Sequence, residues 1–162
     1  MNCNIEESLN RVKKIAELAS KNGVRHSGGI AMALGCSYEG RVSPTVVAKL
    51  AERLMEYGCS RIVIGDSIGV GNASSVHALF DELLRVVPAE KISVHFHDTY
   101  GQALASVLVA IEGIDLDEMV ETGMWICNKI GKPNVSAAAN AMWILKNDTS
   151  RKGELPTTPF LN

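Results

Sequence analysis

The chain has 162 residues, 46% of them apolar, 21% charged and 5% aromatic, the size and composition of one compact domain. Sixteen Lys and Arg against 18 Asp and Glu leave a formal charge of −2, too balanced for a phosphate-tracking surface, which argues against nucleic acid as a partner. Every apolar stretch is broken by Gly, Ser or charge well short of the roughly 20 residues that a membrane span needs, so no membrane segment is expected.

In chain order, Ile5, Leu9, Val12, Ile15, Ala16 and Ala19 recur at three- and four-residue steps and predict an amphipathic helix from Ile5 to Asn22, stopped by Asn22-Gly23. The uncharged apolar run Gly28 to Leu34 suits a strand buried on both faces. Ser43 as N-cap and Pro44 at the first helical position open a second helix through Tyr57, closed by Gly58. The β-branched run Arg61 to Ile64 reads as a strand ending at Gly65-Asp66-Ser67, and a third helix follows from about Ser74 to Val87. Pro88 ends it, Ile92 to His97 makes the next strand, and a fourth helix runs from Tyr100 to about Ile111.

Alternation of strand and helix predicts a parallel α/β sheet with helices outside it. Gly35, Asp66 and His97, each read as a strand end, are spaced by 31 positions, as one repeated βα unit would place them. Eight such units make a (β/α)8 barrel of roughly 250 residues, more than this chain holds. Past Glu112 the reading is a helix to about Ile130, an alanine-rich helix from Ser136 to Leu145, and no strand after His97. Residues 1–145 are thus taken as one domain, with about three parallel strands and flanking helices, and residues 146–162 as a polar, disordered tail.

In His95-Phe96-His97 the two imidazoles share one face of a strand and can point at one divalent ion, with Asp98 available to orient a ring. Two partly exposed histidines at a loop start are the plainer alternative. Asp66 ends the neighbouring strand and can act as base, acid or outer anchor for a metal, or simply as a turn residue capping the next helix. Gly65, Gly69 and Gly71 do not make a dinucleotide fingerprint. Cys36, at the first strand's rim, reads as structural, and Cys3, Cys59 and Cys127 as small apolar fillers on or beside helices. Four scattered cysteines and a start without signal or transit character predict an intracellular, cytoplasmic protein.

Taken together, Ala33-Leu34-Gly35-Cys36-Ser37-Tyr38-Glu39-Gly40, Gly65-Asp66-Ser67-Ile68-Gly69-Val70-Gly71 and Val94-His95-Phe96-His97-Asp98-Thr99-Tyr100-Gly101-Gln102 resemble the 3-hydroxy-3-methylglutaryl-CoA lyase family. The resemblance implies a TIM-barrel enzyme that cleaves its acyl-CoA substrate to acetyl-CoA and acetoacetate with a divalent metal, Mg²⁺ or Mn²⁺. It implies His95 and His97 as metal ligands and Asp66 as the strand-end acid implicated in catalysis. Related condensing enzymes, the isopropylmalate and homocitrate synthases, share the histidine pair, but His97-Asp98-Thr99-Tyr100-Gly101-Gln102 favours the lyase branch.

The family's first three βα units, with an Arg-Asp that supplies another ligand, have no counterpart here, nor do two later strands that bring a reactive cysteine and an asparagine ligand. Ser37, Ser67 and Asn72-Ala73 stand where Pro, Thr and Thr-Pro are usual. The expected protein is therefore a partial TIM barrel with an incomplete site, prone to self-association or completed by another chain. The alternative is a non-catalytic truncated remnant or interaction subunit of the same family. No basic cluster marks a coenzyme A site, and Arg25, Lys49 and Arg53 read as solvated surface charges.

Overall fold

The computed structural model describes residues 3–112 and, as backbone strand, 124–128. Four helices and four strands alternate: α1 (Ile5–Lys21), β1 (Ser27–Ile30), α2 (Pro44–Glu56), β2 (Arg61–Asp66), α3 (Ala73–Leu83), β3 (Ile92–Asp98), α4 (Ala103–Glu112) and β4 (Met124–Asn128). The strands lie in the order β1-β2-β3-β4, every neighbouring pair parallel, as an open segment of a TIM barrel.

The helix boundaries follow from local chemistry. At the start of α1, Asn4 Oδ1 accepts from the Glu7 N–H at 2.9 Å and Glu7 accepts in return from the Asn4 N–H at 3.2 Å, a reciprocal capping box. Gly23 and Gly58 take left-handed φ of 66° and 83° just past α1 and α2. Each is followed by a backbone N–H that reaches back to the last turn, Val24 to Ala19 O and Cys59 to Leu54 O. Ser43 is the N-cap of α2, as expected, yet its hydroxyl makes no capping bond; Pro44, with its preset φ, carries that start. Helix α3 begins one residue earlier than expected, because Asn72 and Ser75 exchange capping bonds at 3.0 and 2.9 Å.

Three departures from the sequence reading have physical causes. Strand β1 stops at Ile30 instead of Leu34, since Met32 turns to φ 55° and its N–H donates to Ser67 Oγ at 3.1 Å. Gly35 is consequently no strand end, and the constant step lies elsewhere, in the register of Ile62 with Ile92 and Val94 with Met124. A fourth strand occupies Met124–Asn128, within the stretch assigned to a helix, and places Cys127 on β4. A short uninterrupted apolar run fits a buried parallel strand or a buried helix equally well by periodicity. The expected helix Ser136–Leu145 and the tail 146–162 lie outside the described residues.

The core fills the space between one face of the sheet and α2, α3 and α4. Ile62 and Ile64 of β2 and Ile92, Val94 and Phe96 of β3 are buried there against Val47, Leu54, Val76, Leu79, Leu83 and Val107. Along β2 burial alternates strictly, with Ile62, Ile64 and Asp66 buried and Arg61, Val63 and Gly65 less so. Helices thus cover one face, and the other is the face that a closed barrel turns inward.

Candidate metal site at the sheet rim

His95 stands opposite Gly65 in the register, so His95 and His97 share the barrel-interior face with Val63 and Gly65. Their Nε2 atoms are 3.1 Å apart and the rings are tilted by 59° with centroids at 5.1 Å. At that separation one ring donates its N–H to the bare nitrogen of the other. Burial lowers the His95 pKa below its ordinary value, and the neighbouring His97 adds to the shift, so His95 is held neutral, the form that binds metal. Two nitrogens each about 2.1 Å from one cation in adjacent octahedral positions stand about 3 Å apart. The observed pair fits that requirement.

Asp66 lies at the same rim, but the two-residue period of β2 assigns it to the helix-covered face with Ile62 and Ile64. Its buried carboxylate accepts from the Val70 N–H at 3.2 Å and the Gly71 N–H at 2.8 Å. The carboxylate thus organises the loop after β2, the turn-residue role weighed for Asp66 beside the catalytic one. Asp98 likewise serves the backbone, since its Oδ1 accepts from the Ala103 N–H at 2.9 Å at the start of α4. Among the described residues, no group of three or more His, Cys, Asp or Glu side chains is placed to hold a metal.

The loop from Ser67 to Gly71 also touches both neighbouring rim loops. Ser67 accepts from Met32, and the buried Gly69 lies against Thr99 and the His97 carbonyl. Thr99 was not singled out from the sequence; the glycines two apart behind Asp66 were the available signal. Cys36 and Arg41 border a cavity of about 730 Å³ between the β1–α2 loop and the start of α3, together with Leu34, Val70, Asn72 and Ser75. Of the three cations read as surface charges, Arg53 is committed to a two-pronged ion pair with Glu6, at 2.6 and 3.0 Å, while Arg25 and Lys49 are exposed.

The HMGL-like family profile matches residues 1–122. The cytoplasmic 3-hydroxy-3-methylglutaryl-CoA lyase of Danio rerio is 43% identical over 128 residues, 78% of this chain and 38% of that protein. The 3-hydroxy-3-isohexenylglutaryl-CoA/hydroxy-methylglutaryl-CoA lyase of Pseudomonas aeruginosa is 33% identical over 184 aligned positions, 88% of this chain and 61% of that one. The crystal structure of the HMG-CoA lyase from Brucella melitensis superposes with a TM-score of 0.75 at 28% identity, over 90% of this chain and 52% of that one. The chain thus spans between 38% and 61% of the length of these three proteins.

Proposed function

Because the chain belongs to the HMGL-like family, we propose that it is part of a carbon–carbon lyase acting on 3-hydroxy-3-methylglutaryl-CoA, with a site that further barrel strands must complete. The observation that carries this reading is the imidazole pair of His95 and His97, Nε2 to Nε2 at 3.1 Å, on the barrel-interior face of β3. His95 and His97 would hold a divalent cation, Mg²⁺ or Mn²⁺, whose bound charge polarises the substrate's hydroxyl and carboxylate oxygens. In the implied cleavage the C3 hydroxyl loses its proton to a base, the C2–C3 bond breaks, and its electron pair forms the enolate of acetyl-CoA while C3 becomes the ketone of acetoacetate. Protonation at C2 completes the balance.

Within that scheme the chain's own residues bind and orient. His95 and His97 bring two ring nitrogens to 3.1 Å, where a cation would take the place of the proton they share, and the lowered pKa of His95 favours its neutral, metal-binding form. Asp66 enters as a positioning residue through the loop it anchors, its two oxygens being engaged by Val70 and Gly71. The name of the Danio rerio relative supports a cytoplasmic placement; among the described residues no helix is long and apolar enough to cross a membrane.

A non-catalytic interaction subunit is the second reading, favoured by the open sheet, in which β1 pairs on one side only among the described residues. Both are tested by assaying acetoacetate from the purified chain with Mn²⁺ and 3-hydroxy-3-methylglutaryl-CoA, alone and mixed with a polypeptide carrying the remaining strands of a full-length relative. Product in the mixture only, abolished by His97→Ala, is the expected result. A stable complex without product supports the interaction subunit, and product from the chain alone overturns the need for completion.

A further inference from the structure

We propose that the loop Ser67–Gly71 is a wedge that sets the direction of His97, with Gly69 and Thr99 as the positioning contact. The inference rests on the reading of His95 and His97 as a cation-binding pair. Asp66 pins the far end of the loop through the Val70 and Gly71 N–H groups, and the Ser67 hydroxyl ties its near end to Met32. Between these anchors Gly69 adopts φ 65°, its N–H bonded to Asp66 O at 3.2 Å. A Cβ built on Gly69 would collide with the Thr99 hydroxyl and lie 2.8 Å from both the Thr99 Cβ and the His97 carbonyl oxygen. The backbone of the wedge therefore rests directly on the exit of β3, at the residue whose ring meets His95. The carbonyl and the ring belong to one residue, so a side chain at Gly69 that displaces the carbonyl shifts the ring with it, as changes behind a metal ligand do.

Gly23 supplies an internal control. It has nearly the same left-handed φ, 66°, with nothing within 4 Å of a built Cβ. Alanine there carries the same backbone strain with no neighbour to displace.

The test uses the full chain. Imidazole ¹⁵N shifts of His95 and His97 are recorded without metal, and Co²⁺ is then titrated, for the wild type, Gly69→Ala, Gly23→Ala and Thr99→Ala. Gly69→Ala is expected to move the His97 ring shifts and weaken Co²⁺ binding about 10-fold or more, in the range of ligand-supporting residues. Thr99→Ala is expected to move the same shifts by less, and Gly23→Ala to move neither. A purely structural Gly69 would lower the unfolding temperature in both glycine variants and leave the His97 ring alike in them, which would overturn the proposal. If Gly69→Ala does not fold, Thr99→Ala decides, and unchanged His97 shifts there overturn it. A wild type that binds no Co²⁺ would refute the cation reading, while the metal-free ring shifts still judge the wedge.

Discussion

His95 and His97 share a face because a strand repeats every two residues, and the same period sends Asp66 and Asp98 to the helix side. There each aspartate finds backbone N–H donors at the start of the following segment, Val70 and Gly71 for one and Ala103 for the other. The imidazole pair was legible in the sequence because spacing alone determines its geometry. The fate of Asp66 was not, since a strand-end carboxylate is chemically able to serve either face, and only the path of the loop decides. Asp66→Ala leaves the buried Gly71 N–H unpaired and should cost about 1–3 kcal/mol in urea unfolding. Asp66→Asn keeps an acceptor oxygen and should cost less. Equal stability of Asp66→Ala and wild type would show that the loop does not depend on the carboxylate.

Among the elements, the three strands and four helices up to Glu112 were readable from capping residues, glycine stops and β-branched runs. What escaped was set by tertiary pairing: the early end of β1, where Met32 bonds to Ser67 across the rim, and β4, whose apolar run becomes a strand by hydrogen bonding to β3. Among the described residues Phe96 is the largest fully buried side chain, and Phe96→Ala should destabilise the chain by about 3–5 kcal/mol, measured by denaturant midpoint. Helix α1 is tied to α2 by the Glu6–Arg53 pair. Hydrogen bonding to Arg53 lowers the Glu6 pKa from its ordinary value of 4.5, so its contribution is present above that value and is lost as pH falls through the lowered one. The stability difference between wild type and Glu6→Gln should accordingly shrink as pH drops below 4.5; a difference independent of pH would contradict this pairing.

At the scale of the whole molecule, membership of the HMGL-like family and a span of 38% of the Danio rerio relative and 61% of the Pseudomonas aeruginosa one go together with a sheet of four parallel strands among the described residues. Ile5, Ile15 and Leu18 on α1 and the neighbouring Val24 are more than half exposed, and β1 presents an edge. Unpaired strand edges and exposed apolar groups favour association, so sedimentation velocity should show species heavier than the monomer, shifting with concentration. A concentration-independent monomer would argue against it. The proposed function turns on the imidazole pair, and its most direct test is Mn²⁺ binding to the full chain followed by electron paramagnetic resonance. Binding should be detectable in the wild type, about 10-fold or more weaker in His95→Ala and in His97→Ala, and absent when both are replaced. Identical binding curves for the wild type and the doubly substituted chain would contradict a cation site built on β3.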